Sequence, residues 1–355
     1  MAFNKKNAFK SDILSLFKES DLSIALRTKN KILWDDILLG ANYIPIAYSN
    51  MNIDFLFEVY YEKKEFEVID VSSIIYWDNR PIGVWPLFIF INEENAFFNF
   101  VDNAILPPLL ISNLNVSIQK KVFKSTINFM INLAKLLDNN QWNCMEVFNN
   151  EKGFSLWHTI AMEWGSKSHL NYDLFINLDC SFDQIKSNFR KSYKSLINSG
   201  LKKWDVGVLD KPDLSIWNKF MDLHESASGR KTRSDKSWEI HYQDIINKNS
   251  FLIYLLGEQE SMVGAGLFNC NRDEGFYAVA AYNRDLFDLP LGHIVQSQAI
   301  IEFKKRSIKW YKLGPRPYLQ TLPKASEKEI SIAEFKNGFA SHIFPRVLIN
   351  FDLTR

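Results

Sequence analysis

The order of its secondary-structure signals, which occurs twice, constrains this chain more than any single motif. In the first half, Phe66 to Ile75 alternates β-branched and aromatic residues as a strand does. Asp78-Asn79-Arg80-Pro81 makes a turn, and Ile82 to Ile91 and Ala96 to Val101 give a second and third strand. Pro107-Pro108 ends that run; Ile118, Val122, Met130 and Leu137 mark one face of a long helix, and Asn143 to Phe148 returns to strand. In the second half, Phe251 to Leu256 and Met262 to Asn269 form a hairpin around Gly257-Glu258-Gln259-Glu260, and Gly275 to Ala281 is a third strand. Leu289-Pro290-Leu291-Gly292-His293 leads into a helix with Val295, Ala299 and Phe303 on one face, and Lys309 to Leu313 closes as a strand. Hairpin, strand, proline turn, helix, strand: the repeat is one of architecture and predicts an α/β fold of two tandem domains, each a mixed sheet flanked by helices.

A chain of 355 residues exceeds what one hydrophobic core usually serves, and Gly165-Ser166-Lys167-Ser168 is the natural boundary, giving domains 1–165 and 166–355. Tyr172 to Leu178 opens the second domain as a strand. Ser181 with Gln184 makes a capping box, followed by Phe182, Ile185, Phe189, Tyr193 and Leu196 at helical spacing and by Gly200 as a C-cap. Trp204 to Leu209 is a short strand and Leu214 to Glu225 a helix, whereas Trp34 to Leu39 fits either pattern.

A formal net charge of +1 excludes a protein that is basic throughout, so any polyanion contact must be local. Three widely spaced cysteines, Cys144, Cys180 and Cys270, form neither a disulfide framework nor metal-ligand spacing, so no metal is expected and the reducing cytosol is the natural compartment. The start lacks the apolar run of a signal peptide, and the most apolar stretch, near Ile82 to Ile91, is too short to span a bilayer.

A strand, tight turn and helix start make an anion-binding device, because the first amide groups of a helix are open and its dipole favours negative charge. Gly292 permits close approach to the backbone, while the first-half turn continues as Leu109-Leu110-Ile111 without glycine. Phosphate binding is therefore expected in the second half alone.

Several segments between Leu170 and Phe344 carry a family resemblance. They are the basic stretch Ser187-Asn188-Phe189-Arg190-Lys191-Ser192-Tyr193-Lys194-Ser195-Leu196-Ile197, and the run from His224 through Gly229-Arg230-Lys231-Thr232-Arg233-Ser234 with Trp238. Tyr282-Asn283-Arg284-Asp285 through Leu291-Gly292-His293 and Gln296, then Trp310-Tyr311-Lys312-Leu313-Gly314, and finally Phe335-Lys336-Asn337-Gly338-Phe339 complete the set. Together they resemble the FemAB-type branch (peptidoglycan bridge-forming aminoacyltransferases) of the GNAT acyltransferase superfamily; the first half matches by architecture alone. The resemblance implies two GNAT-like domains and acyl transfer to nitrogen, related to the cell envelope. The donor it implies is acyl-CoA or aminoacyl-tRNA, the acceptor an amino group on a sugar or peptide. A degenerate, non-catalytic GNAT-like binding protein is the rival of another class.

Attack of an amine on a thioester or ester needs placement, an oxyanion donor and a proton for the leaving group, so no Ser-His-Asp or Cys-His motif is required. By the resemblance, Lys336 is the functional lysine of the terminal motif and Phe335 shapes the channel; otherwise they are a surface lysine and a core aromatic. Leu291, Gly292, His293 and Tyr282 are the donor-binding candidates, and Arg230, Arg233 and Trp238, with Phe335, the substrate-binding ones. His224 has the titration range of a general base and equally suits a structural role. Tyr311 either protonates a leaving group or packs with its hydroxyl satisfied. Lys186, Arg190, Lys191, Lys194, Lys202 and Lys203 are a solvated face, a contact for the acceptor end of tRNA, or a seat for the 3′-phosphate of coenzyme A.

Overall fold

The structure, a computed structural model, describes residues 11–13, 15–17, 21–146, 154–319, 321 and 324–354. They form two compact units, 1–170 with 345–355, and 171–344.

The first unit contains β1 (Ser23–Leu26), α1 (Lys31–Leu39), α2 (Asn50–Glu62), β2 (Glu67–Asp70), β3 (Ser73–Trp77), β4 (Arg80–Trp85), β5 (Phe88–Ile91), β6 (Ala96–Asn99), β7 (Leu109–Leu110), α3 (Val116–Leu136), β8 (Gln141–Glu146) and α4 (Leu156–Glu163). Trp34 to Leu39 therefore falls in a helix, with Trp34, Ile37 and Leu38 buried. Asp78 and Asn79 take positive φ (48° and 61°), the backbone that a tight hairpin between β3 and β4 requires. Asn115 caps α3 by accepting from Ser117 N–H. One core centres on Trp85, Phe129 and Trp157, a second on Trp34, Phe88 and Phe100.

Two expected strands are each divided. Phe66 to Ile75 breaks into β2, which pairs with β5, and β3, which pairs with β1 and β4. The Asp70 carboxylate accepts from Ser72 N–H at 2.9 Å, and Ser72 Oγ accepts from Leu87 N–H at 3.1 Å; this side-chain turn hands the chain from one sheet to the other. Ile82 to Ile91 breaks at Pro86 and Leu87 into β4 and β5. Val147 and Phe148, expected in the strand that became β8, lie outside the described residues.

The second unit contains β9 (Lys167–Asn177, its first residues in the other unit), α5 (Phe182–Ser187), α6 (Lys191–Gly200), β10 (Asp205–Leu209), α7 (Leu214–Ser228), α8 (Asp235–Ile246), β11 (Ser250–Leu256), β12 (Met262–Cys270), β13 (Glu274–Tyr282), α9 (Leu291–Lys305), β14 (Trp310–Pro315) and α10 (Glu327–Asn337). Its strands lie in the order β10-β11-β12-β13-β14-β9, antiparallel except for β13 with β14. Alternation along β11 sends Phe251, Ile253 and Leu255 to one core, with α6 and α9, and Leu252 to another, with α7 and α8.

Capping boxes start α5 at Ser181 and α10 at Ser326, and Gly229 ends α7 at φ 72°. The helix expected from Phe182 to Gly200 is broken at Arg190, whose backbone is not helical (ψ 134°) and whose N–H donates to Gly338 O at 2.8 Å. Gly200 is not a C-cap either. It is the last residue of α6, and there a Cβ would stand 2.3 Å from Ile294 Cδ1; the glycine permits the close approach of α6 and α9.

The final strand, β15 (His342–Asp352), contributes Val347–Asp352 to the first unit, antiparallel to β8. The expected division at 165, with everything after it in one domain, is corrected here. The last eleven residues, 345–355, join the first unit, where Val347, Ile349 and Phe351 are buried and Phe351 stacks on Trp142 at 3.9 Å. No helix among the described residues is long and apolar enough to cross a membrane.

Candidate active site

β13 and β14 run parallel but share only the pairs Glu274↔Trp310, Gly275↔Tyr311 and Phe276↔Lys312 among the described residues. Just past those pairs each strand has an irregularity on its outer side. Opposite β12 the register of β13 skips Ala278, and opposite β9 the register of β14 skips Leu313, next to Gly314 at φ 119°. A bulge bends its own strand, so two bulges at one level let the strands part. The opening lies between Tyr277–Tyr282 on one side and Gly314–Pro315 on the other.

The end of α10 reaches this opening. Lys336 Nζ stands 5.4 Å from the centroid of the Tyr277 ring and 3.2 Å from where a Cβ on Gly314 would be. Burial lowers the Lys336 pKa to about 8, against a smaller opposing pull from the Asp173 carboxylate. Asp173, on β9, is paired with Lys312 at 2.9 Å. Tyr193 holds α10 by donating its hydroxyl to Phe335 O at 3.0 Å, while Arg190 and Arg316 both pair with Glu334.

Opposite the amine is a group of buried hydroxyls. Tyr277 and Tyr282 share a hydrogen bond of 2.8 Å, and Tyr311 donates to Gln296 Oε1 at 2.5 Å. Gln296 also hydrogen-bonds Tyr277, which links the three tyrosines through α9. Desolvation raises all three phenols, Tyr277 to about 12, so each stays neutral and able to donate at ordinary pH. Tyr311 is fully buried and packs on Phe303 and Phe268; its hydroxyl is a core group, not one that meets a leaving group.

The start of α9 differs from expectation in detail. Leu291 N–H donates to Leu289 O at 2.8 Å and its side chain is buried, so Leu291 offers no open amide. His293 and Ile294 N–H both donate to Pro290 O. Gly292 N–H has no acceptor among the described residues. The space that glycine leaves is met by Phe335, whose Cζ would be 3.2 Å from a Cβ, and by the Tyr282 hydroxyl at 3.6 Å. Gly292 thus serves the approach of α10, whose Phe335 ring packs against it.

His293 stands edge-on between Tyr193 (4.4 Å) and Phe335 (5.1 Å). Burial, reinforced by Arg190, lowers its pKa to about 4, so it is neutral near pH 7 and supplies no cation for a phosphate.

The acceptor-side candidates belong to the other core of this unit. His224 packs edge-on against Trp238 at 5.1 Å, and burial with the nearby Arg233 charge lowers its pKa. Trp238 is buried against Trp217 and Phe220, a core residue and not a binding surface. The Arg233 guanidinium lies 5.5 Å over the Trp238 ring and 3.4 Å from His241 Nε2. Arg230 is exposed just after Gly229. The structure thus brings together Lys336, Phe335, Tyr282, Gly292 and His293, with Tyr311 beneath them, and places His224, Arg233 and Trp238 in a separate cluster. Tyr277, Gly314 and Asp173 were not among the candidates. Only the parting of two strands gives them a common space, and no local pattern announces that. No group of three or more His, Cys, Asp or Glu among the described residues could hold a metal.

No sequence family matches the chain, and no curated protein is similar to it in sequence. Solved structures are similar in fold. FemX superposes with a TM-score of 0.68 at 10% identity, over 91% of this chain and 96% of that one. L-PGS from Bacillus licheniformis gives 0.54 at 9% identity, over 97% and 92%. The C-terminal domain of a putative lysylphosphatidylglycerol synthetase from Agrobacterium fabrum gives 0.52 at 10%, over 74% and 80%. The architecture is mixed α/β, with sheets flanked by helices in two compact units. The chain has the fold of FemX.

Proposed function

We propose that the chain transfers an acyl group to the amino group of a sugar or peptide of the cell envelope, with the acyl carrier entering between β13 and β14. The observation that carries this reading is the placement of the Lys336 amine in that opening, beside Tyr277 and in reach of the strand carrying Gly314. The amine nitrogen of the acceptor bonds to the acyl carbon, the carbon–sulfur or carbon–oxygen bond to the carrier breaks, the amine loses a proton, and the leaving group gains one. An ammonium with a pKa near 8 suits both tasks left to the protein, steadying the oxyanion and giving up a proton near neutral pH. Tyr277 and Tyr282 supply neutral hydroxyl donors at the same place.

The carrier proposed is acyl-CoA. Gly292 N–H and the dipole of α9 favour an anionic group. The basic residues Arg190, Lys191 and Lys194 lie on the start of α6, which packs against α9. A second reading, aminoacyl-tRNA as donor, is favoured by one feature: a single open amide is a small cradle for a pyrophosphate, whereas a basic helix suits an extended polyanion. The neighbours named for FemX and lysylphosphatidylglycerol synthetase support an envelope acceptor by analogy of fold. The N-terminal domain, whose turn lacks glycine, is proposed to have no donor site.

Thiol release from acetyl-CoA with a panel of amino sugars and peptides tests the first reading, and transfer from charged tRNA the second. Lys336→Ala is expected to lower turnover by about a hundredfold or more while changing carrier affinity little. Equal turnover in the variant removes Lys336 from the mechanism; no binding of either carrier leaves the non-catalytic alternative.

A further inference from the structure

A cavity of about 130 Å³ opens in the first unit at Pro107-Pro108, the turn that answers the donor turn of the second. Tyr43, Tyr48, Phe123 and Trp157 give it aromatic walls, and the only ionisable carboxylate among its lining residues is Glu146, at the end of β8. Glu146 is 8% exposed, and its Oε2 has no hydrogen-bond partner among the described residues. Ser155 hydrogen-bonds the carboxylate, but the other groups near Oε2 do not supply it a partner. The Tyr48 hydroxyl donates instead to Pro107 O at 2.7 Å, and His158 Nδ1 stands 3.6 Å away, beyond hydrogen-bond range. No lysine or arginine among the described residues pairs with this carboxylate.

An ionised carboxylate walled in by aromatic rings, with no lysine or arginine beside it among the described residues, is a receptor for a cation. Ring faces attract positive charge, and the carboxylate fixes its position. The volume limits the guest: about 150 Å³ holds a benzene molecule in other proteins, so only a group of comparable size fits. A phosphate is excluded by charge. We infer that the first unit binds a compact organic cation, a primary ammonium on a short carbon chain, with its N–H groups on Glu146 and its carbon stem against Tyr43, Phe123 and Trp157. This goes beyond the transferase reading and does not rest on it.

The electrostatics agree. Burial raises Glu146 to a pKa of about 7, opposed by a hydrogen bond with Ser155, while Tyr48 and Cys144 are themselves raised and neutral. His158, also facing the carboxylate, is lowered by burial and adds no charge near neutrality. A cation therefore binds the ionised form of Glu146, and its affinity falls as pH drops below about 7.

Calorimetry of the full chain with n-butylammonium, n-butanol and tetramethylammonium tests the site. The expected result is saturable binding of butylammonium near millimolar affinity, roughly tenfold weaker binding of butanol and of tetramethylammonium, and weakening below pH 7. Glu146→Gln keeps the shape, removes the charge, and is expected to reduce butylammonium affinity about tenfold. Tyr43→Ala, at the half-buried rim, is expected to weaken binding without loss of fold. Unsaturated butylammonium titrations, equal binding of butanol, or an unchanged Glu146→Gln affinity overturns the proposal. Tetramethylammonium binding as tightly as butylammonium overturns the primary-ammonium assignment.

Discussion

Lys336 holds a half-buried amine in a place where charge is costly, and the direction of its shift fixes a stability prediction. Its folded pKa, about 8, is below the unfolded value near 10.4. Between those values the unfolded chain binds more protons, so stability rises with pH; below about 8 the penalty of burying the charge is present in full. Lys336→Met is therefore expected to stabilise the protein at pH 7 by about 2 kcal/mol and to lose that advantage above about pH 10.5, as read by denaturant titration at the two pH values. A destabilised variant at pH 7 would mean that the ammonium is compensated. The lysine itself was legible in the Phe335-Lys336-Asn337-Gly338-Phe339 run. Its partner Tyr277 was not, because a tyrosine within a strand looks the same whether its ring meets the next strand or an opening. Leu291 shows the converse limit: its position at a helix start suggested an open amide, but a local bond to Leu289 closed it.

At the scale of elements, alternation and helical spacing located most strands and helices, including α3, α7, α9 and the β11–β12 hairpin. They did not show where a strand changes sheet, since the Asp70–Ser72 turn leaves the apolar alternation of Phe66 to Ile75 undisturbed. Nor did they show the parting of β13 and β14, which depends on bulges at Ala278 and Leu313. Element contacts also explain small residues that looked like caps. At Gly200 a side chain would meet Ile294 and Pro290, so Gly200→Val is expected to push α6 from α9 and cost about 1–3 kcal/mol, measured by thermal unfolding. An unchanged midpoint would show that the two helices separate without penalty.

The whole molecule is two compact units, and the course of the chain through them was only partly readable. The repeat of order and the Gly165-Ser166-Lys167-Ser168 boundary gave two domains, but strand periodicity near the C-terminus says nothing of which sheet receives it. Phe351 decides the matter by stacking on Trp142 within the first unit. Phe351→Ala is expected to cost about 3–5 kcal/mol and to speed hydrogen exchange in β8 while leaving β11 and β12 unchanged. Equal acceleration in both units would contradict the division into separate cores.

The opening between β13 and β14 is where the acyl carrier is proposed to enter, and hydrogen exchange under saturating acetyl-CoA, or charged tRNA, examines it most directly. Slowed exchange is expected at Gly292 and along Tyr277 to Tyr282, with the exposed loop after Gly229 unaffected. Binding of either carrier with no protection at those amides, or with protection confined to the first unit, would contradict it.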